Sequence, residues 1–230
     1  MFPLLAFALS ASALAQSPSP QPPPKRIPIP GITLTDAERN ELTAGAANLR
    51  AEIDALARDL AGAADAKLAA LLPDVEIFHK AVDWALRYDE FMAPREIAFA
   101  RTLLTQGRER AAQLRAKQAP WLDASGLIVR GHRSKLDGSV QPYGLVVPES
   151  LKATAVAREI PLMVWLLGRG EKRTELAFLS ERLGGPPHLT PKDTLTLVPY
   201  GRFCNATRMT ARMLSGLTPS RRGARRSARR

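Results

Sequence analysis

Cysteine is nearly missing from this 230-residue chain, and that excludes one class of exported protein. Cys204 is the single cysteine, so no disulfide can form within the chain. A small secreted domain held together by disulfides is therefore ruled out. No residue near Cys204 in sequence suggests an activating base, so we interpret it as a small apolar residue rather than as a nucleophile.

Motifs for metal binding and for serine catalysis are missing as well. The histidines, His79, His132 and His188, lie far apart, and neither H-x-x-x-H nor a cysteine pair occurs. We therefore predict no metal site and no cofactor. G-x-S-x-G, the tight strand-to-helix turn that exposes a serine nucleophile, does not occur either.

A hydrophobic run long enough to span a bilayer, which takes about 20 residues, is also lacking. Residues 1–15, M-F-P-L-L-A-F-A-L-S-A-S-A-L-A, are apolar and uncharged. Ala13-Leu14-Ala15 fits the small-x-small cleavage pattern of a secretory signal, although no basic residue precedes it. We predict a signal peptide over residues 1–15 and a secreted or periplasmic protein that begins at Gln16. A membrane anchor is the alternative.

Acidic residues are absent from residues 208–230, which hold eight arginines. The whole chain carries a net charge of +11, so removing these eight leaves +3 for residues 1–207. The fold itself is therefore not markedly basic, and we predict no nucleic-acid partner. The tail is rich in Arg, Ala, Gly, Ser and Pro, as a GC-rich gene translated out of frame would be. We interpret it as a disordered frameshift or truncation product. An arginine-rich tail that binds nucleic acid or anionic surfaces and an ordinary disordered end are the alternatives.

Proline is concentrated near the start of the chain. Residues 16–34 are proline-rich and predict an extended linker. Residues 35–120 have helical periodicity, and Thr35 with Glu38 forms a capping-box pattern at their start. Apolar residues at alternating spacings of four and three predict a long amphipathic helix that ends near Pro73.

Two further helices are predicted before the strands begin. One covers residues 74–92, and the next starts after Pro94, a residue typical of a first helical turn. We expect the three helices to pack on one another. An aromatic stripe on the second helix is interpreted as core, with a ligand surface as the alternative: Trp84, Tyr88 and Phe91.

The periodicity changes after Trp121. Residues 126–131 and 140–148 predict two strands, and Leu-Asp-Gly-Ser at 136–139 predicts a hairpin turn between them. Residues 162–167, L-M-V-W-L-L, form a continuous apolar run that is typical of a strand buried on both faces of a parallel sheet.

A βαβ unit completes the predicted sheet. Gly168-Arg169-Gly170 follows the apolar run, and a helical pattern with Leu176, Leu179 and Leu183 comes next. Another apolar run at residues 194–199 predicts the second strand of the unit. The chain is therefore predicted to be α/β, with a helical region ahead of a mixed sheet.

Three segments in this order resemble the first half of an α/β-hydrolase: D-G-S-V-Q-P-Y-G-L-V-V-P at 137–148, V-W-L-L-G-R-G-E at 164–171 and V-P-Y-G-R-F-C-N at 198–205. The chain is most similar to secreted bacterial members of the prolyl-oligopeptidase-like group. The resemblance implies that residues 121–207 are a partial α/β-hydrolase domain with an incomplete sheet. It also implies an intact enzyme that hydrolyses an ester or peptide substrate through an acyl-enzyme.

The resemblance assigns the backbone oxyanion hole to Gly168, Arg169 and Gly170. In such proteins this loop normally has the pattern His-Gly-x-Gly, and Leu167 stands here in place of the histidine. The alternative is that the two glycines only allow a tight turn.

No catalytic residue is predicted within this chain. None of the candidate serines, Ser139, Ser180 and Ser215, stands in an elbow pattern, and all three histidines precede the place where a nucleophile should occur. We expect the nucleophile, acid and base beyond residue 230, and the chain alone to be inactive. The competing hypothesis is a non-catalytic exported binding protein that uses the helical region. The oligomeric state stays open.

Overall fold

The computed structural model describes residues 29–62, 66–152, 159–168, 170–185 and 191–201. In this part of the chain, helices precede and accompany a four-stranded mixed sheet, which confirms the α/β class. The helices are α1 (Asp36–Gly62), α2 (Ala66–Ala69), α3 (Pro73–Arg87), α4 (Arg95–Arg115), α5 (Glu149–Lys152) and α6 (Glu175–Leu183), and a 3-10 turn covers Pro120–Leu122. The strands are β1 (Gly126–Arg133), β2 (Val140–Val147), β3 (Leu162–Val164) and β4 (Leu195–Pro199).

The first helix starts as predicted and ends earlier. Thr35 Oγ1 accepts the Glu38 N–H at 3.2 Å, and the Glu38 carboxylate accepts the Thr35 N–H at 3.0 Å, so the capping box is formed. Helix is described to Gly62 and again over Ala66–Ala69, while residues 63–65 lie outside the described residues. Residues 70–72 form turns, so the helical structure predicted to reach Pro73 ends a few residues earlier.

The second helix is also shorter than predicted, because α3 ends at Arg87 and Asp89 adopts a left-handed backbone conformation with φ of 54°. A helix cannot continue through that conformation. Phe91 lies beyond the helix and is buried, whereas Tyr88 is exposed and meets Trp84 edge to face. The aromatic stripe is therefore core only in part.

The last residues of the predicted linker pack against the connection between α3 and α4. The Gly31 N–H donates to Asp89 O at 3.0 Å, and the Ile32 N–H donates to Phe91 O at 2.7 Å. Leu34 is buried in the core. A Cβ on Gly31 would lie 2.3 Å from Asp89 O, so only glycine allows this approach.

The strand order is β1-β2-β4-β3. β2 runs antiparallel to both of its neighbours, and β3 runs parallel to β4. The predicted hairpin and the predicted βαβ unit β3–α6–β4 are thus formed. Helices α3 and α6 pack on one face of the hairpin, where a Cβ on Gly131 would meet the backbone of Pro73 and a Cβ on Gly144 would meet Arg182.

The positions of the last two strands correct the prediction for residues 162–167. Only Leu162–Val164 form strand β3, and this strand lies at the edge with exposed side chains rather than in a doubly buried position. β4 occupies the interior position, because β2 pairs with one of its sides and β3 with the other. An apolar run indicates that a strand prefers burial. It does not indicate which position the strand takes in the sheet.

Candidate functional site

The loop between β3 and α6 is the candidate site, since it holds the residues assigned to an oxyanion hole. Trp165 still pairs with β4, its N–H donating to Leu197 O at 2.8 Å, and the chain then leaves the sheet. Helix α6 starts after Thr174, whose Oγ1 accepts the Ala177 N–H at 3.1 Å. This cap fixes the start of the helix next to the loop.

The two glycines of this loop are not required by a left-handed turn. Gly168 is exposed and Gly170 half-buried, and neither adopts a positive φ. A Cβ on Gly168 would meet nothing, whereas a Cβ on Gly170 would lie 2.9 Å from the aliphatic part of Arg173. Arg169 lies outside the described residues. A tight turn therefore does not explain why both positions are glycine.

The backbone amides at Gly168 and Gly170 have no backbone hydrogen-bond acceptor within the part of the chain that the structure describes. The Gly170 carbonyl is engaged, accepting the Arg173 N–H at 3.1 Å. Unengaged amides in a loop before a helix are suited to bind an anion.

A cleft of about 450 Å³ adjoins the loop. It lies between the start of α4, the turn at residues 170–173 and the first part of α6. Its charged residues have both signs: Arg95, Lys172 and Arg173 with Glu96, Glu171 and Glu181. Arg95 and Lys172 form no ion pair within the described residues, but both cations favour the charged form of the Glu96 carboxyl group. This cleft cannot be found from the sequence, because α4 and α6 are about 80 residues apart in the chain and meet only after folding.

Glu96 is the one buried carboxyl group of the cleft. Its Oε2 accepts the Met92 N–H at 2.7 Å, which fixes the chain ahead of α4. Burial raises the pKa of this carboxyl above its ordinary value. A raised carboxyl pKa is typical of proton-transfer groups, but here the hydrogen bond to Met92 also gives Glu96 a structural role. Only its position in the first turn of a predicted helix could have drawn attention to it.

The described histidines lie in other parts of the fold. His79 lines a groove between α1 and α3, and His132 is on β1 beside Tyr143, with 5.9 Å between ring centroids. His188 and Cys204 lie outside the described residues. Among the described residues, no group of three or more His, Cys, Asp or Glu side chains could hold a metal ion.

A buried polar cluster around Asp74 belongs to the fold rather than to a site. The Asp74 carboxylate accepts hydrogen bonds from the Trp121 indole at 2.9 Å, from Arg130 Nε at 2.8 Å and from the Gly131 N–H at 2.6 Å. Beside it, Arg110 donates to Asp74 O and to Val129 O at 3.1 and 2.8 Å. Burial lowers the pKa of Arg110 to about 10. Both side chains are engaged with the protein itself, so we assign them no ligand.

Comparison with known proteins identified no matching family model, no similar curated protein and no solved structure of similar fold. In the described ranges, no helix is both long and apolar enough to cross a membrane.

Proposed function

We propose that this chain is the N-terminal part of an exported serine hydrolase of the α/β-hydrolase type, prolyl-oligopeptidase-like, that acts on ester or peptide bonds. The observation that carries the proposal is the strand order β1-β2-β4-β3 with β2 antiparallel to its neighbours. An α/β-hydrolase sheet begins in the same way. The loop assigned to the oxyanion hole follows β3, the strand after which that family places it.

The proposed role of the loop is to stabilise negative charge. When a nucleophile attacks a carbonyl, the oxygen becomes an oxyanion, and amides already fixed in place stabilise it without reorganisation. The N–H groups at Gly168 and Gly170 are candidates for this role because no backbone acceptor engages them among the described residues. The second donor would come from the residue after the nucleophile, which this chain does not contain.

The DNA that follows the codon for Asn205 tests the proposal. One alternative frame should encode G-x-S-x-G on a strand-to-helix turn within about 30 residues or somewhat more, the length of one βαβ unit. An Asp or Glu and then a His should follow in that order. If no frame encodes this elbow, the hydrolase loses its nucleophile and the proposal is overturned.

A fluorophosphonate probe tests the same proposal with protein. The 230-residue chain should not be labelled, whereas a chain continued in the frame with the elbow should be. Replacing Gly168 by proline removes one amide donor, so labelling of the longer chain should slow by about 100-fold. Gly185→Pro is the matched control, since a Cβ there also meets nothing, and its labelling rate should not change. Labelling of the 230-residue chain would contradict the assignment of the triad to later residues.

A second candidate function is ligand binding by the helical region. A groove of about 450 Å³ between α1 and α3 favours it, with Arg39, Arg50, His79 and Arg87 among the residues that line it. Each arginine already pairs with an aspartate at its rim: Asp89, Asp54 and Asp83. Ligand binding becomes a better proposal than hydrolysis if no frame of the DNA encodes the G-x-S-x-G elbow. Titration with short anionic peptides, compared between the natural chain and Arg50→Gln, would then test it.

A further inference from the structure

Two neighbouring cavities lie along the line where α4 and α6 meet. The first is the charged cleft beside Gly170, and the second, of about 200 Å³, lies between Phe99 of α4 and Leu183 of α6. The residues that line both cavities recur at spacings of three and four, so they lie on one face of each helix. They are Glu96, Phe99 and Leu103 on α4, and Ala177, Glu181 and Gly184 on α6. The cavities are therefore successive parts of one groove, the α4–α6 groove.

The far end of the α4–α6 groove is apolar. Leu103 is buried there, whereas Phe99 and Leu183 are 37% and 39% exposed. Two hydroxyl groups also line this end, and each donates to a carbonyl of its own helix. They are those of Thr102, 3.1 Å from Ala98 O, and of Ser180, 2.9 Å from Leu176 O. An apolar group can therefore enter without leaving either hydroxyl unpaired.

The end of the groove nearest the loop contains two cations, Arg95 and Lys172, that form no ion pair within the described residues. Both act on the buried Glu96 carboxyl group, which places them at the same end of the groove. Glu96 is itself engaged, because it accepts the Met92 N–H at 2.7 Å. Glu181 is engaged as well, by two arginines: Arg173 at 3.9 Å and Arg182 at 3.4 Å.

We propose that the α4–α6 groove binds a small ionised carboxylic acid that carries an apolar group. The carboxylate pairs with Arg95 and Lys172, because hydrogen bonds between such cations and a carboxylate are among the stronger ones. The apolar group lies between Phe99 and Leu183. An apolar cavity of about 150 Å³ can hold benzene, so the far end of the groove has room for a phenyl group. Arg95 and Phe99 are one helical turn apart, about 6 Å along the axis, so a short chain joins the two parts of the ligand.

A small molecule suits this groove better than a further segment of protein. The backbone groups of two packed helices are already bonded within each helix, so no added strand or helix is needed to complete them. The groove begins beside Gly170, and identifying its ligand with part of a substrate therefore rests on the proposed function. Binding itself requires only residues of this chain.

Titration of the 230-residue chain with phenylbutyrate, followed by nuclear magnetic resonance, tests the ligand class. Binding should be saturable, with one site per chain. Butyrate lacks the phenyl group and phenylbutanol lacks the charge, so each should bind about 10-fold more weakly. The inference is overturned if phenylbutyrate does not saturate the chain by about 10 mM, or if the alcohol binds as tightly as the acid.

Substitutions in the groove test the two ends separately. Arg95→Gln and Lys172→Met should each weaken the binding of phenylbutyrate about 10-fold and leave that of phenylbutanol unchanged. Phe99→Ala should weaken both. Arg108→Gln removes an exposed arginine elsewhere on α4 and should change neither. All four side chains are exposed, so circular dichroism should show an unchanged fold. Equal effects of Arg95→Gln and Arg108→Gln, or no effect of Phe99→Ala, would contradict the assignment.

A chain continued in the frame that encodes the elbow separates this inference from the hydrolase proposal. It should bind phenylbutyrate as tightly as the 230-residue chain does. If it is labelled by fluorophosphonate but no longer binds phenylbutyrate, later residues cover the groove, and the inference is overturned while the hydrolase proposal stands. If both chains bind phenylbutyrate and neither is labelled, the inference stands and the hydrolase proposal is overturned.

Discussion

At the scale of single residues, Asp74 closes the edge of the sheet at β1 by accepting the Gly131 N–H, a role that no local sequence pattern indicates. An acidic residue in the first turn of a helix is ordinarily explained by the helix dipole. Its role in closing the edge of β1 requires Arg130 and Gly131, which are more than 50 positions later in the chain. Pair contacts at such distances depend on the fold, which a local pattern does not contain.

We expect Asp74→Ala to lower the free energy of unfolding by about 3–5 kcal/mol, because it removes the buried carboxylate that pairs with the partly buried Arg130 and accepts from Trp121 and Gly131. Urea denaturation followed by circular dichroism measures the change. Asp54→Ala is the control, since Asp54 forms an exposed pair with Arg50 one turn away, and its effect on stability should be much smaller. If the two substitutions change stability equally, the buried contacts of Asp74 do not stabilise the fold as proposed.

His132 predicts how the stability of the protein depends on pH. Burial lowers the pKa of this histidine in the folded chain, where the nearby Lys80 acts in the same direction and the Gln141 backbone opposes it. The unfolded chain therefore takes up a proton at a higher pH, near 6.5. The free energy of unfolding should keep its full value above about pH 6.5 and should decrease as the pH falls below it.

Urea midpoints measured between pH 7.5 and pH 5 check this expectation. His132→Gln should flatten the pH dependence, and His79→Gln should remove a further part, since burial lowers the pKa of His79 as well. A natural chain that becomes more stable as the pH falls from 7 to 6 would contradict the assignment.

At the scale of elements, local patterns predicted most helices and strands, but not the order of the strands. The capping box, the third helix and the hairpin follow from neighbouring residues alone, and all are found. The apolar run at residues 162–167 predicts a strand buried on both faces, yet β3 lies at the edge and β4 is interior. The packing of α6 across the sheet decides whether β3 or β4 lies next to β2.

The candidate site was predictable only in part for the same reason. A glycine-containing loop between a strand and a helix can be located from the sequence, and Gly168 and Gly170 are indeed in such a loop. The cleft beside it requires the contact of α4 with α6. Arg95 and Glu96 therefore could not be found before the helices were placed in space.

The segment before α1 provides a test of how tightly one element is held. Gly31→Ala would place a Cβ 2.3 Å from Asp89 O, so the hydrogen bonds of Gly31 and Ile32 should break. We expect a loss of about 1–3 kcal/mol of stability, and faster hydrogen exchange at the Ile32 amide. Gly62→Ala, where a Cβ meets nothing, should be neutral or slightly stabilising. A Gly31→Ala chain with unchanged exchange at Ile32 would refute the close packing.

At the scale of the whole molecule, export is the property most directly open to measurement. The predicted cleavage after Ala15 lies outside the described residues and stays a prediction. Sequencing the N-terminus of protein collected from the periplasm or medium should show Gln16 first, because Ala13-Leu14-Ala15 fits signal-peptidase cleavage. Replacing Ala13 and Ala15 by arginine should leave the precursor uncleaved. A secreted chain that retains Met1 would exclude this site.

Lys80 links the helical region to the hairpin and to α6, so one of these parts cannot be exchanged alone without a loss of stability. Its ammonium group lies 2.9 Å from the buried Glu175 carboxylate at the start of α6 and donates to Val140 O of the hairpin at 2.6 Å. A gene fusion that exchanged the helical segment for one from another protein would leave Glu175 buried without this cation, at a cost of several kcal/mol. Recombination between relatives should therefore transmit α3 together with the strands and α6, as one inherited block.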